Sequence, residues 1–198
     1  MRHALLGGTF DPIHSGHIHA AKELAKVCQL DRVTLLPSAL PPHKLNKTIT
    51  VFKHRYKMAS LAIKDEPLFQ ISDYENQTKG PSYTINTALH FKKLHPNDKL
   101  FFIMGNDMAG IFSTWKSWRK LLEIIEPLIV IRPGETQEID YALPIAIQKK
   151  LKSYYHKINT LAISSTMIRE DIYKHTDMLN PTVIKYIKEQ NLYMQKLS

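Results

Sequence analysis

The chain has 198 residues, 43% of them hydrophobic and 23% charged, with 27 Lys and Arg against 18 Asp and Glu for a formal charge of +9. This suits one soluble domain with a sizeable core and favours anionic partners: nucleic acid, a membrane surface or phosphorylated metabolites, with a merely solubilising surface as the alternative. The single cysteine, Cys28, excludes an internal disulfide and a cysteine-based zinc site, and no apolar run reads as a secretion signal or a membrane span, so a cytoplasmic protein is expected.

Taken in chain order, HALLGG (3–8) reads as a buried strand closed by glycines. Ser15 is placed to cap a helix over about 16–29, with Ile18, Ala21, Leu24, Ala25 and Cys28 on one face, which makes Cys28 a small core residue and not a nucleophile. RVTLLP (32–37) is a second strand, followed by a proline- and lysine-rich loop (38–50) and a helix over about 51–64. LFQIS (68–72) is a third strand, TINTALHFKKLHP (84–96) a helix, and KLFFIMG (99–105) the most apolar strand. Helices at about 106–111 and 117–125 precede a fifth strand, PLIVIRPG (127–134). A helix near 145–152, a sixth strand at INTLAIS (158–164) and helices at about 165–174 and 181–190 complete the pattern. Strands alternate with helices, and most are apolar runs without period-two alternation. That predicts an α/β fold, a Rossmann-like doubly wound parallel sheet flanked by helices, with a small C-terminal helical part. Ligands of such sheets bind at the carboxyl ends of the strands. GGTFDPIHSGH (7–17), PPHK (41–44), GND (105–107) and ISSTMIR (163–169) all follow predicted strands.

In GGTFDPIHSGH, Gly7 and Gly8 let the backbone turn sharply and approach a ligand, and the following helix points its N–H groups at that turn as an anion site. The spacing is neither the dinucleotide fingerprint nor a Walker A loop. His14 and His17 are three apart, so both face the same side at a helix start, and imidazole donates to phosphate oxygens. A metal pair and structural histidines are the competing explanations. A metal would want a third ligand, which nothing nearby clearly supplies; Asp11 precedes a proline and would instead brace the turn.

The string GGTFDPIHSGH resembles the HxGH signature of the nucleotidyltransferase superfamily. With PPHK, PSYT (81–84), GND followed by Trp115, IRPG (131–134) and ISSTMIR, the chain resembles the bacterial nicotinate mononucleotide adenylyltransferases over nearly its whole length. The resemblance implies one nucleotidyltransferase domain over 1–198, with a helical subregion from about 165. It implies transfer of the adenylyl group of ATP to nicotinate mononucleotide, giving nicotinate adenine dinucleotide and pyrophosphate in NAD biosynthesis, with Mg²⁺ accompanying ATP. The chemistry agrees with the residue types. The nucleophile is a phosphate, ionised at neutral pH because its second pKa is about 6. Two anions must be aligned and the charge on the attacked phosphorus stabilised, which asks for histidines, Lys, Arg, hydroxyls and helix N-termini.

The resemblance further implies roles residue by residue. His17, His14 and Arg169 would be catalytic. Gly8, Thr9, Phe10, His14, His17, Gly105, Asp107, Ser164, Ser165, Thr166 and Arg169 would bind ATP: the first three as the phosphate turn, Asp107 on a ribose hydroxyl, and the serines and threonine on the outer phosphates. His43 and Lys44 would be phosphate ligands on the acceptor side, and Tyr83, Thr84 and Trp115 would hold the pyridine. Arg132 would meet the adenine or a phosphate. Plainer explanations stand beside these: a helix cap for the Ser-Ser-Thr run and for Asp107, a solvated basic turn for His43 and Lys44, and a core position for one of Trp115 and Trp118. The stretch 135–155 carries no motif and is expected to pack over the adenosine side or to form an interface; a homo-oligomer is left open.

Rival readings are a pantetheine-phosphate adenylyltransferase or a cytidylyltransferase of the same superfamily, and a class I aminoacyl-tRNA synthetase fragment, hinted at by KMAS (57–60). KMAS lies within a predicted helix and too early in the chain. A nucleic-acid-binding protein would use the +9 charge, but the lysines are scattered without interleaved aromatics. No nucleic-acid or membrane partner is expected.

Overall fold

The computed structural model describes residues 1–41, 48–78, 80–132, 134–159 and 161–194. His43 and Lys44 lie outside the described residues. Six parallel strands form one sheet: β1 (Arg2–Gly8), β2 (Arg32–Pro37), β3 (Phe69–Ile71), β4 (Lys99–Gly105), β5 (Ile125–Ile131) and β6 (Tyr155–Lys157). Their order is β3-β2-β1-β4-β5-β6, the doubly wound order, and it reverses between β1 and β4. That reversal opens a crevice at the carboxyl ends of β1 and β4.

Helices cover both faces because strand side chains alternate. Ala4, Leu6, Val33, Leu35, Phe101 and Ile103 point to one face. There they meet α1 (Ser15–Cys28), α2 (Phe52–Ala62), α8 (Ser165–Glu170) and α9 (Pro181–Glu189). Leu5, Leu36, Leu100, Phe102 and Met104 point to the other. There they pack on α4 (Thr84–Leu94), α5 (Asn106–Ala109), α6 (Trp118–Ile124) and α7 (Ile145–Lys152). Strands buried on both faces read as continuous apolar runs, which is why periodicity alone located them. Pro127 stands within β5, where its missing N–H is tolerated because β6 pairs only from Ile129 onward.

Three expectations need correction. The described residues of 158–164 are not a strand. β6 ends at Lys157, the Asn159 carbonyl meets the His19 ring nitrogen at 2.6 Å, and Ile163 N–H bonds back to the Leu161 carbonyl in a tight turn. Ser15 does not cap α1. His14 holds the extended N-cap position, and the Ser15 hydroxyl donates to the Met178 carbonyl instead. The helix expected over 165–174 stops at Glu170, and a 3-10 segment, Tyr173–Met178, follows. A four-residue helix, α3 (Tyr74–Gln77), also stands between β3 and α4. Cys28 closes α1 half-buried, its sulfur 3.8 Å from His156 Nε2, and burial pushes its thiol pKa up, away from nucleophile behaviour.

Candidate active site

A cavity of about 550 Å³ opens at the crevice between β1 and β4. Gly8, Thr9, His14 and His17 line it from the β1 turn and the start of α1. Gly105 and Asp107 line it from the end of β4, and Arg132 from the end of β5. Tyr83, Thr84 and Trp115 line it from the α4 start and the loop before α6. Trp118 is buried in the core, so of the two tryptophans it is Trp115 that reaches the cavity.

The turn is shaped by close approach. A Cβ at Gly8 would stand 2.8 Å from the Phe10 ring, and one at Gly16 would stand 3.0 Å from His14 Nδ1 and from Ile163 Cγ2. Glycine therefore lets the chain lie flat over one ring at position 8 and under another at position 16. Phe10, in the left-handed region at φ 49, does not line the cavity. Its ring is buried and meets His17 edge-on, with centroids 5.2 Å apart. It acts as a support for the histidine.

The two histidines are stacked, with centroids 3.8 Å apart and rings tilted by 32°. The backbone N–H of His14 donates to His17 Nδ1 at 3.3 Å. A neutral His17 ring accepting at Nδ1 carries its proton on Nε2, which makes Nε2–H the ring's donor. Burial, with the Arg132 charge as a smaller cause, lowers the His14 pKa from its ordinary value to about 4. At neutral pH His14 is therefore an uncharged donor or acceptor, and stacking it on His17 brings no like-charge repulsion from His14.

The outer wall of the turn is fastened by groups that the sequence did not advertise. Arg55, 1% exposed in α2, donates from Nε to the Thr50 carbonyl and from Nη1 to the Thr9 carbonyl, both at 2.7 Å. Its burial lowers its pKa, with Asp11, Tyr193 and Glu75 opposing. The Asp11 carboxylate accepts from Tyr193 Oη at 2.6 Å and from the Thr50 N–H at 3.2 Å, the bracing expected of it.

Ser164, Ser165, Thr166 and Arg169 do not line the cavity; Ile163, just before them, does. Ser164 Oγ accepts from the Met167 N–H as the N-cap of α8. Ser165 Oγ donates to the Pro12 carbonyl at 2.9 Å. Arg169 donates to the Asp11 carbonyl at 2.6 Å and to Thr166 Oγ1 at 3.2 Å. So α8 is tied to the back of the turn, and the helix-cap explanation accounts for Ser164. Asp107 is an exposed second residue of α5; the N-cap there is Gly105. Asn106 is buried and clasps the following loop, donating to the Thr136 carbonyl and accepting from the Glu138 N–H, both at 2.8 Å. That clasp brings Glu135 to the cavity wall beside Arg132, 3.8 Å from its guanidinium, so the stretch 135–155 does contribute to the site. Glu75, Ser82 and Lys116 also line the cavity and were not anticipated. Lys116 stands 4.4 Å above the Tyr83 ring; its one sequence signal was adjacency to Trp115.

The cytidylyltransferase-like family model matches residues 5–171 of the chain. The chain is 39% identical over 192 residues to the nicotinate-nucleotide adenylyltransferase of Bacillus subtilis, covering 96% of each chain. The chain belongs to the nicotinate-nucleotide adenylyltransferase family. A Clostridium tetani protein named "Probable nicotinate-nucleotide adenylyltransferase" is 38% identical over 195 residues, covering 96% of this chain and 98% of that one. The fold is also that of Plasmodium falciparum nicotinic acid mononucleotide adenylyltransferase, solved in complex with NaAD: the TM-score is 0.77 over 100% of this chain and 99% of that one, at 24% identity. Family membership sets the superfamily rivals and the synthetase fragment aside. KMAS lies inside α2, with Met58 and Ala59 in the core.

Proposed function

We propose that the chain transfers the adenylyl group of ATP to nicotinate mononucleotide, releasing pyrophosphate and forming nicotinate adenine dinucleotide. The observation that carries this reading is one cavity lined by two kinds of wall. The glycine turn, His14, His17 and Arg132 suit a polyphosphate, while Tyr83, Thr84 and Trp115 suit a flat acidic ring. In this reading the acceptor phosphate attacks the α-phosphorus directly, and the P–O bond to the β-phosphate breaks as the new one forms. No general base is needed, because the nucleophile is already an anion. His17 Nε2–H donates to the α-phosphate oxygens as charge builds there. Asp107 accepts from a ribose hydroxyl, Trp115 faces the pyridine, and Thr84 donates to its carboxylate. Ser165, Thr166 and Arg169 support the turn and turn toward the outer phosphates only if α8 releases Pro12 and Asp11.

Among the described residues no group of three or more His, Cys, Asp or Glu is placed to hold a metal ion. The Mg²⁺ that ATP carries through its phosphate oxygens is part of that substrate. No described helix is long and apolar enough to cross a membrane, and a cytoplasmic enzyme is the reading adopted. The test is chromatographic detection of the dinucleotide after incubation of the purified chain with ATP, Mg²⁺ and nicotinate mononucleotide. Stoichiometric conversion is expected. A chain that consumes ATP without forming the dinucleotide contradicts the reading.

A further inference from the structure

Glu75 is a carboxyl group in the cavity wall that the roles above do not use. The residue is 6% exposed, on the four-residue α3, and its side chain turns inward. Oε1 accepts from Thr87 Oγ1 at 3.1 Å, whereas Oε2 is buried with no partner at hydrogen-bond distance. The groups acting on it come from every side. The Thr87 hydroxyl comes from α4, those of Ser38 and Ser82 from the two loops at the cavity mouth, and the charged Arg55 from α2. All four favour the ionised carboxylate, yet burial outweighs them and holds the Glu75 pKa above its ordinary value. Ser82 also accepts the N–H groups of Ala39 and Leu40, at 3.1 and 3.3 Å, so it joins the two loops. Tyr83 and Thr84, the residues read as the pyridine wall, follow it directly. Lys116 lines the same cavity and stands over Tyr83.

A carboxyl group in the wall of the cavity, with one buried oxygen unpartnered, has a consequence for the ring substituent. An ionised Glu75 repels a second carboxylate and welcomes the N–H₂ of a carboxamide. A protonated Glu75 tolerates a carboxylate and donates to it. We propose that Glu75 is a specificity-determining residue that reads the charge on the acceptor's pyridine substituent, favouring the acid mononucleotide while it holds its proton and the amide mononucleotide once it has lost it. The inference rests on the function proposed above. Linkage requires the reciprocal effect: binding the acid acceptor raises the affinity of Glu75 for its proton, so a proton is taken from solvent on binding.

The experiment is the ratio of kcat/KM for nicotinate mononucleotide to that for nicotinamide mononucleotide, followed across pH. Titration of the acceptor phosphate, with a second pKa of about 6, is common to both substrates and cancels in the ratio. In the wild-type chain the ratio is expected to fall by about tenfold as pH rises through the titration of Glu75, the change that about one pK unit of coupling produces. The change should lie in KM and not in kcat. Glu75→Gln keeps the size of the side chain and its acceptor for Thr87, and its ratio is expected to be flat. If that variant does not fold, proton uptake by the wild-type chain, read by calorimetry in two buffers of different ionisation enthalpy, decides instead. Uptake with the acid and not with the amide supports the assignment; equal uptake overturns it. A flat wild-type ratio, or an unchanged slope in Glu75→Gln, overturns the Glu75 assignment alone. Transfer to neither acceptor overturns the proposed function and this inference with it.

Discussion

His17→Ala is expected to lower kcat by about a hundred- to a thousand-fold, the usual cost of removing one donor aimed at developing charge. The physical basis is the fixed ring. Nδ1 accepts from the His14 backbone N–H, Phe10 meets the ring edge-on, and His14 stacks on its face. A ring held on these sides loses little freedom when it meets the transition state. His17 is only half-buried and lines the cavity, so thermal unfolding should shift by little. His17→Gln, whose amide reaches the region of Nε2, should recover part of the loss, and His17→Asn should recover less. Single-turnover rates at saturating ATP check this. A near-normal rate in His17→Ala would remove the role assigned to it.

Arg55→Met is expected to lower stability by about 3 kcal/mol, because two part-buried carbonyls lose a donor and the Asp11 carboxylate loses a compensating charge. For a chain of this size that corresponds to a fall of roughly 6–12 °C in Tm. Activity should fall too, since the Arg55 bond to the Thr9 carbonyl ties the turn to α2. Arg55→Lys keeps the charge but not the two-pronged geometry, and should lie between. Thermal denaturation followed by circular dichroism checks the order wild type, Lys, Met. A Met variant as stable as wild type would mean that the turn stands without this tie.

The parts of the fold and site visible in the sequence are those whose partners are close in the chain. Gly7-Gly8 after an apolar run and His14–His17 three apart are local patterns, and the structure brings both to one cavity. The apolar strand 99–105 announced β4, and the glycine ending it stands at the cavity. What was hidden depends on partners far along the chain. Arg55 stands among other basic residues in KHRYK with nothing local to mark it, yet it binds a carbonyl 46 positions earlier. Glu75 acquires its meaning from Ser38, Thr87 and Arg55. The apolar run at 158–163 looked like a strand because its Ile158 and Ile163 are indeed buried. They are buried in the core beyond the end of β6 and, for Ile163, at the cavity wall, and burial outside a strand leaves the same sequence trace. Ser164 to Thr166 displays a helix start whatever the helix is for, and the bonds of Ser165 and Arg169 to Pro12 and Asp11 could not be read from it.

The most direct test of the account is pyrophosphate release by the purified chain, with ATP and Mg²⁺ held fixed. Nicotinate mononucleotide, nicotinamide mononucleotide and phosphopantetheine would be offered in separate tubes. The account predicts release that depends on the acceptor and is fastest with nicotinate mononucleotide at neutral pH. Release with phosphopantetheine alone would contradict the pyridine wall of Tyr83, Thr84 and Trp115, and silence in all three tubes would contradict adenylyl transfer itself.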